Sequence, residues 1–484
     1  MQLPLHAFMN RLQDMDVFRN PRPFADLQGG ILKPHGRAHT CLLFVELLED
    51  NDAHEPPHRT LQRLLSCFPA TSALHQHRDT LEHRSNPEHQ TLFVSYAFSS
   101  AGFRRLGVPL DRSDRFFEHP PRFDDLDEDA SPENAEPNPT AAAHLLIVLA
   151  HDLRDALDAS IHDLGSLLAG RARILRRDGF WSAAHPPGSR PDRRANTEAD
   201  AFEHFGFRDG IANPRFFANP DDPAGENDAG PGLVLLADWT APVRAGIDPS
   251  GTYLVFLEFE QDTAVFSRTL ASLATHVHGE DHQKARAEVA AQILGRTFDG
   301  QERNDDPFRS HTPPPGTSGA IAACPFASHV SAMKPRDPSE RATRIVRRSC
   351  VFDDRTTTGR VGLHFLSYQK RMEYFLTLFP RWANQRVASD GGSRVSDALL
   401  GARSPGIPRF PLRDAAGQTT MVDLPRFVRL RASAVFFTPS IPGLRTIARL
   451  EQAESPTTQV GPPSDYDRTF HSVAPVSSIP IAPK

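Results

Sequence analysis

The sequence has few cysteines and no long apolar run, and each shortage excludes a class of protein. Its 484 residues include four cysteines, which are scattered and form no Cys-x-x-Cys pair. Neither a disulfide framework nor a zinc knuckle is therefore indicated, and reduced thiols are expected. No stretch approaches the roughly 18 uninterrupted apolar residues of a membrane-spanning helix. Because the N-terminus lacks the basic segment and apolar run of a secretory signal, we expect a cytoplasmic protein.

An excess of positive charge and the motifs of several enzyme classes are also missing. The formal net charge is −6, so attraction to nucleic acid or to an anionic membrane is not expected. The chain contains no Walker loop, no G-x-S-x-G and no H-E-x-x-H. Nucleotide hydrolysis, serine esterase and zincin chemistry therefore have no residues to carry them. With 39% hydrophobic and 24% charged residues, the composition fits a soluble globular protein.

The sequence does contain two successive sets of strand and helix patterns. Apolar, β-branched runs predict strands at 40–48, 91–98, 144–152, 252–262, 343–352, 361–369 and 426–439. Helical periodicity predicts helices at 57–67, 100–107, 154–170, 263–275, 283–295 and 370–382. This order favours an α+β fold in which helices cover one face of mainly antiparallel sheets. We place one module at 1–225, a second at 226–451, and a flexible Pro/Ser/Thr-rich tail at 452–484.

Two segments have the spacing of metal sites but are better explained as surface. The acidic run 124–137 puts carboxylates at the first, third, fifth and twelfth places of a calcium loop. Ala130 stands where that loop needs glycine, so a solvated acidic loop is favoured. Three histidines in a link between two predicted helices could meet a transition metal: His276, His278 and His282. The polarity of that link explains its place on the surface without an ion.

Three residues far apart in the sequence are better candidates for chemistry. The stretch EHFGFRDGIANP (203–214) holds Asp209 between two glycines, and His329 lies in a non-periodic stretch. Alternation along the predicted strand 343–352 puts Ile345 and Arg347 on one face, with the residues between and after them on the other. One arginine is therefore expected to point inward, where a guanidinium needs an anion or a ligand. Taken alone, such a histidine or arginine is more often structural.

In combination, these segments resemble the dye-decolorizing peroxidases, a family of haem enzymes marked by G-x-x-D-G, which here is Gly206 to Gly210. Further matches keep the order of the family over about residues 26–445. They are DLQGGILKPHGRAH (26–39), CPFASHVSAMKPR (324–336), RIVRRSCVF (344–352), GLHFLSYQ (362–369), WAN (382–384) and FFTPSIPGL (436–444). The motif alone is weak, whereas five or six ordered matches are specific. The N-terminal match and the length are closest to the longer, more elaborated subgroup.

The resemblance implies a fold and a set of site residues. The fold would be α+β, with two ferredoxin-like modules enclosing one haem b. Asp209 and Arg347 would be the distal catalytic pair. The positions that would bind the cofactor are His329 as the proximal iron ligand, Asp397 as acceptor of its imidazole N–H, Leu363 and Phe365 lining the distal pocket, and His204 near the propionates.

The implied function is a haem peroxidase whose partners are hydrogen peroxide and organic electron donors. It would split the peroxide heterolytically to a ferryl intermediate and then oxidise dyes, phenols or other donors in one-electron steps. No nucleic acid or membrane partner is expected, and monomer or homo-oligomer stays open. Two alternatives remain: a haem-handling protein with weak peroxidase activity, and a compartment cargo that docks through its tail at 459–484.

Four positions depart from the pattern of the family. Ser331 stands where arginine is common, so a propionate contact would have to come from elsewhere. Ser349 and Val351 replace a glycine or asparagine and a proline, and Asn213 replaces a glutamine. We expect the changes at 349 and 351 to alter the entrance of the pocket without removing Arg347, and the change at 213 to be mild.

The catalytic pair suits peroxide chemistry. Asp209 can accept a proton from one peroxide oxygen and return it to the other. Arg347 would favour the ionised carboxylate and stabilise the charge that develops as the O–O bond breaks. The two glycines would let the loop approach the haem. Since carboxyl groups in general ionise at lower pH than imidazoles, we expect activity at a more acidic pH than a histidine base would allow.

Overall fold

The computed structural model describes most of the chain up to residue 450. The described residues are 12–48, 55–85, 91–110, 115–120, 123, 138–182, 201–211, 213–217, 227–236, 251–277, 281–300, 328–333, 343–383, 386–387, 394–401, 410–414, 416, 418–450. Side chains are not described at 14–15, 84–85, 380–382, 386–387 and 394–395. The acidic run 124–137, His278 and the tail 452–484 lie outside these ranges.

The described elements follow the order that the sequence predicts, with some additions. The strands are β1 His39–Leu47, β2 Phe93–Phe98, β3 Leu145–His151, β4 Ala172–Phe180, β5 Thr252–Gln261, β6 Val346–Arg347, β7 Cys350–Asp354, β8 Arg360–Gln369, β9 Arg386–Val387, β10 Arg394–Val395, β11 Phe410–Arg413, β12 Thr419–Val422 and β13 Val428–Thr438. The helices are α1 Asp14–Arg19, α2 Pro21–Asp26, α3 Pro57–Cys67, α4 Ala73–Ser85, α5 Ser100–Arg105, α6 Arg115–Glu118, α7 Arg154–Leu168, α8 Thr263–Ala274, α9 His282–Leu294, α10 His329–Met333, α11 Met372–Leu376 and α12 Ile441–Ile447. A 3₁₀ turn lies at Pro231–Leu233 and a π-helix at Thr377–Trp382.

The first four strands form one antiparallel sheet in the order β4-β1-β3-β2. Helices α3 and α4 connect β1 to β2, and α7 connects β3 to β4. β1 and β3 are buried along almost their whole length, which explains their near-continuous apolar sequences. This βαββαβ arrangement is a ferredoxin-like module.

The second sheet repeats the same arrangement in the order β13-β5-β8-β7, again antiparallel. Helices α8 and α9 follow β5, and α11 with its π-helical extension follows β8. The prediction of an α+β fold with two ferredoxin-like modules is confirmed. The first set of strands lies between His39 and Phe180, and the second between Thr252 and Thr438; the module boundaries at 225 and 451 stay predictions.

The two sheets join edge to edge at single residue pairs. Phe437 of β13 pairs with Phe98 of β2, and Phe180 of β4 pairs with Val351 of β7. Since β5 and β8 also pair with each other, the eight strands close into a ring of strand pairings. Its core is apolar and largely inaccessible to solvent, with contacts such as Phe44 on Phe256 at 4.7 Å between ring centroids.

One polar cluster interrupts this core. The Glu258 carboxylate accepts a hydrogen bond from Arg177 Nε at 2.6 Å, and His364 Nε2 lies 3.6 Å from the same oxygen. Burial by itself would raise the pKa of Glu258, but His364 and Arg177 together lower that pKa to about 2. A carboxyl with a lowered pKa stabilises the fold above its ordinary pKa, and this contribution is lost as the pH falls towards 2.

Replacing Arg177 with leucine should lower the free energy of unfolding by about 3–5 kcal/mol near neutral pH, because it leaves the buried Glu258 carboxylate without its hydrogen-bond donor. Arg173→Leu is the matched control on the same strand. Arg173 is 75% exposed and 3.4 Å from Glu46, so its loss should cost at most about 1 kcal/mol. Urea denaturation of both variants checks the difference; equal effects would contradict this view of the cluster.

The helices of the second module hold the loop at 203–210. Asp262 and Asp281 cap α8 and α9 by accepting hydrogen bonds from backbone N–H groups in their first turns. Phe205 lies 4.4 Å from Phe266 of α8, and Phe207 stacks on Phe298 at 4.7 Å, both between ring centroids. Two aromatic side chains therefore fix this loop against a separate apolar core.

Among the residues that the structure describes, no helix combines the length and the apolar character needed to cross a bilayer.

Candidate active site

A cavity of about 360 Å³ lies beside the second module. Its walls come from the loop at 203–211, the ends of β5 and α9, helix α10, strands β6 and β8, and the helical segment after β8. The volume is within the range of small-molecule and cofactor sites. Asp209, His329 and Arg347, which are far apart in the sequence, all line it.

The Asp209 loop depends on its two glycines for its backbone shape. Gly206 has φ +93° and Gly210 has φ +82°, which residues with a Cβ rarely adopt. A Cβ at Gly206 would meet Phe298 only at an ordinary 3.7 Å, so conformation rather than space requires glycine there. The Asp209 N–H donates to the Ala201 carbonyl at 2.7 Å, and the Gly210 N–H donates to Asp209 Oδ1 at 2.6 Å.

Arg347 is held beside this loop by Asn213. The Arg347 N–H donates to Asn213 Oδ1 at 2.9 Å, and Asn213 Nδ2 donates to the Arg347 carbonyl at 2.8 Å. Ile345 and Arg347 both line the cavity, in line with the alternation in the sequence. Arg348, on the other face, donates to the carbonyls of Gly30 and Ile31. The asparagine at 213 therefore fixes the backbone of the arginine relative to the Asp209 loop.

The side chains of Asp209 and Arg347 form an ion pair without a direct hydrogen bond. Arg347 Nη1 is 3.8 Å from Asp209 Oδ1, beyond the usual N–H···O range. Both side chains are partly accessible, at 26% and 30%. Each is therefore able to hydrogen bond a small molecule in the cavity while the charges still attract.

His329 lies at the start of α10 and is paired with Asp397. Its Nδ1 is 2.8 Å from Asp397 Oδ2, and Asp397 Oδ1 accepts from the Leu399 and Leu400 N–H groups at 2.7 and 2.9 Å. Burial would raise the pKa of Asp397, but His329 and these hydrogen bonds lower it overall. An ionised carboxylate can only accept, so Nδ1 carries the hydrogen and Nε2 is the nitrogen available to a metal.

Leu363 and Phe365 belong to the apolar part of the wall, and their place on the distal side of a haem stays a prediction. They project from β8, while Phe259 projects from the paired strand β5; the rings of Phe259 and Phe365 lie 6.1 Å apart. Phe375 and Phe379, stacked at 5.5 Å, extend this wall along the helical segment. Such a surface suits a flat, largely apolar ligand.

His204 is not among the residues that line the cavity. Its Nε2 lies 2.8 Å from the carbonyl of Phe352 on β7, and its ring meets Phe180 edge to face. Burial is the main cause that lowers the pKa of this imidazole. His204 therefore contacts β7 of the second module and β4 of the first. Its role near a propionate stays a prediction of the resemblance.

Other polar residues of the wall were not expected from the sequence. Glu203 belongs to the stretch that drew attention to Asp209, and Gln261 ends β5; both line the cavity, as do Arg296 and Arg344. Glu203 could have been noticed in the sequence because it lies six residues before Asp209. No local pattern marks Gln261 or Arg296, because their position depends on how β5 and α9 end.

The lining fits a haem on three grounds. His329 offers an imidazole nitrogen, and Ser349 Oγ is buried in the wall without a hydrogen-bond partner in the described part of the chain. Among the described residues that line the cavity, four are arginines and two carry carboxyls: Arg208, Arg296, Arg344 and Arg347, and Glu203 and Asp209. The two propionates of a haem would balance this excess of positive charge. A small cation has no comparable site: the described residues contain no group of three His, Cys, Asp or Glu side chains able to hold one.

Most residues of the cavity wall lie within the part of the chain that matches a known family. The family model described as "Dyp-type peroxidase, C-terminal" matches residues 200–390. The multifunctional dye peroxidase DyP2 of Amycolatopsis sp. is 26% identical over 478 residues, covering 87% of this chain and 95% of that protein. The match therefore extends over both modules.

Solved structures share the fold. A DyP-type peroxidase of Anabaena sp. has a TM-score of 0.70 at 23% identity, covering 92% of this chain and 98% of its own. A dye-decolorizing peroxidase in complex with 2,6-dimethoxyphenol has a TM-score of 0.65 at 22% identity, covering 88% and 99%.

Proposed function

The chain belongs to the Dyp-type peroxidase family, and from this premise we propose that it reduces hydrogen peroxide with Asp209 and Arg347 as its catalytic residues. As a member of a family of haem peroxidases it is a haem enzyme that oxidises dyes and phenols. One haem b per chain is part of the proposal. The observation that carries it is the meeting of Asp209, Arg347 and His329 in the walls of one cavity.

Asp209 is the proton carrier of the proposed mechanism. Its carboxylate accepts a proton from one oxygen of hydrogen peroxide and returns it to the other, which leaves as water. The Gly210 N–H at 2.6 Å from Oδ1 fixes the orientation of this carboxylate, and Oδ2 is the oxygen left to receive the proton. A carboxylate on a loop that two glycines and two phenylalanines define needs little reorganisation for this transfer.

Arg347 stabilises charge in the same step. Its guanidinium is permanently cationic and lies 3.8 Å from Asp209 Oδ1. It therefore stabilises the negative charge that develops on the departing oxygen. Asn213, through its two hydrogen bonds to the Arg347 backbone, keeps this cation beside the Asp209 loop.

His329 and Asp397 hold the cofactor. Nε2 of His329 would bind the iron, while the hydrogen bond from Nδ1 to Asp397 orients the ring and makes it a stronger donor. The haem, when bound, supplies the redox chemistry that receives the two oxidising equivalents of the peroxide. Arg208, Arg296 and Arg344 are the cations of the cavity wall that would pair with its propionates.

Replacing Asp397 with asparagine should weaken haem binding by about 10–100-fold and raise the reduction potential of the iron, because the imidazole loses its anionic partner. An asparagine keeps an oxygen for the Leu399 and Leu400 N–H groups, so the turn itself is preserved. Absorbance titration of the purified variant with haem and a potentiometric titration check both effects. Unchanged affinity together with unchanged potential would remove Asp397 from this role.

Steady-state oxidation of a phenol tests the function as a whole. The haem-loaded protein should oxidise 2,6-dimethoxyphenol only when hydrogen peroxide is present, at a rate well above that of free haem. A rate equal to that of free haem would favour the haem-handling alternative. The cytoplasmic location, the absence of nucleic acid and membrane partners, and the docking role of the tail stay predictions of the sequence.

A further inference from the structure

Glu203 is a partly buried carboxyl that the mechanism above does not use. The residue lines the cavity. Its Oε1 accepts a hydrogen bond from the Phe207 N–H at 2.8 Å, and its Oε2 accepts from the Phe205 N–H at 2.9 Å and from Gln261 Nε2. Gln261 Oε1 in turn accepts from the His204 N–H at 3.4 Å. The Glu203 side chain thus links the start of the Asp209 loop to Phe205 and Phe207 of the same loop, and to Gln261 at the end of β5.

Two carboxyls of one loop therefore face one cavity in different surroundings. Asp209 is partly accessible and has the Arg347 guanidinium 3.8 Å away. Glu203 is partly accessible as well, but the three hydrogen bonds described for it come from neutral N–H groups. When two carboxyls share a site, their surroundings decide which one keeps a proton. Here the cation stands beside Asp209.

We propose that Glu203 is a positioning residue and the proton-holding partner of Asp209. Its hydrogen bonds to the N–H groups of Phe205 and Phe207 fix the loop. While Glu203 is protonated, Asp209 is the one ionised carboxylate that this loop presents to the cavity. The proposal rests on the proposed function of Asp209. It assigns to the two carboxyls the opposite charge states that acid–base sites require.

The electrostatics agree with this assignment. Burial raises the pKa of Glu203 to about 7; the N–H groups of Phe205 and Phe207 and the Gln261 amide oppose the rise, and the charge of Asp209 adds to it. The other charged or titratable side chains that face the cavity are Arg208, Arg296, His329, Arg344 and Arg347. In mildly acidic solution Glu203 is therefore neutral. Oε1, which receives one hydrogen bond where Oε2 receives two, is the oxygen that can carry the proton.

The charge of Glu203 should affect the reaction with peroxide. As the pH rises through about 7, a second negative charge enters the cavity. This charge repels the negative charge that develops on the departing oxygen, which Arg347 stabilises. The rate of the peroxide step should therefore fall with rising pH, and the fall should follow the ionisation of Glu203.

Glu203→Gln is the informative variant, because glutamine is uncharged at every pH and its one oxygen can still accept from the Phe205 N–H and the Gln261 amide, whereas its NH2 group cannot accept from the Phe207 N–H. The haem-loaded proteins are mixed rapidly with one equivalent of hydrogen peroxide between about pH 5 and pH 9, and the change in the haem spectrum is timed. The wild type should lose rate in a one-proton transition near pH 7. The glutamine variant should lack that transition and react at nearly the same rate across the whole pH range. Glu260→Gln is the control, since Glu260 of β5 pairs with Arg431 of the neighbouring strand β13 and does not line the cavity.

Glu203→Ala separates positioning from charge. It removes the acceptor of the Phe205 and Phe207 N–H groups, so it should slow the peroxide step about ten-fold or more at every pH. Infrared difference spectra of the haem-free protein give a readout independent of activity. A protonated carboxyl band should disappear between about pH 6 and pH 8 in the wild type and be missing from Glu203→Gln. A glutamine variant whose pH profile and infrared titration match the wild type would overturn the proposal, whereas a wild type inert to peroxide would instead refute the proposed function.

Discussion

Replacing Asp209 with asparagine should slow the reaction of the haem-loaded protein with hydrogen peroxide by about 10²–10⁴-fold, the usual contribution of a positioned general base. The amide keeps the size of the side chain and an oxygen for the Gly210 N–H. It cannot take up and return a proton. The loss should therefore appear in the peroxide step and leave haem affinity within about two-fold of wild type.

Rapid mixing with one equivalent of peroxide measures this effect, and Asp353→Asn is its control. Asp353 is a carboxylate of β7 that pairs with Arg355 and does not line the cavity. Its asparagine variant should react at the wild-type rate. If Asp209→Asn reacts as fast as this control, another group carries the proton.

Arg347→Leu should slow the same step by about 10²–10³-fold, as the removal of one preorganised charge-stabilising donor does in other sites. It removes the cation 3.8 Å from Asp209 Oδ1 and the partner of the developing charge. The hydrogen bonds to Asn213 use only the Arg347 backbone, so they persist in the variant and the strand should keep its place.

Arg347→Lys gives an intermediate test, since lysine keeps the charge but not the planar fork of donors. Its rate should lie between those of the wild type and Arg347→Leu. Arg355→Leu, which removes an exposed arginine of the Asp353 pair, serves as control and should leave the rate unchanged. Equal rates for Arg347→Leu and this control would exclude a role in the peroxide step.

The fold could be predicted where strands are buried and apolar. β1 and β3 read as continuous hydrophobic runs, and their predicted limits differ from the structure by one residue at each end. β4 was not predicted, because ARILRRDGF carries charges on a partly exposed strand. Its arginines pair with carboxylates that are distant in the sequence, such as Glu258 for Arg177. No local sequence pattern shows such pairs.

Two segments that were predicted as single regular elements, the strand at 343–352 and the helix at 370–382, are each divided in the structure. The strand expected at 343–352 is divided into β6 and β7, with Arg348 and Ser349 between them. The Arg348 guanidinium turns to the carbonyls of Gly30 and Ile31 on a distant segment. The helix expected at 370–382 changes to a π-helix after Leu376. The Arg348 contacts lie outside the predicted segment, so no local pattern contains them.

In the candidate site, too, some residues could be proposed from the sequence and others could not. Asp209, His329 and Arg347 could be proposed because ordered motifs resemble those of a known family. The contacts of Glu203, Gln261 and Asn213 could not, since each joins segments that meet only after folding. His204 lies in the same stretch as Asp209, yet its ring reaches β7; the direction of a loop side chain is set by its partners rather than by its motif.

The optical spectrum of the purified protein, recorded before and after one equivalent of hydrogen peroxide, tests the central claim most directly. We expect a Soret band at one haem per chain, a rapid spectral change with peroxide, and a slower change in both Asp209→Asn and Arg347→Leu. A protein that binds no haem, a haem spectrum that peroxide leaves unchanged, or variants as fast as the wild type would contradict it.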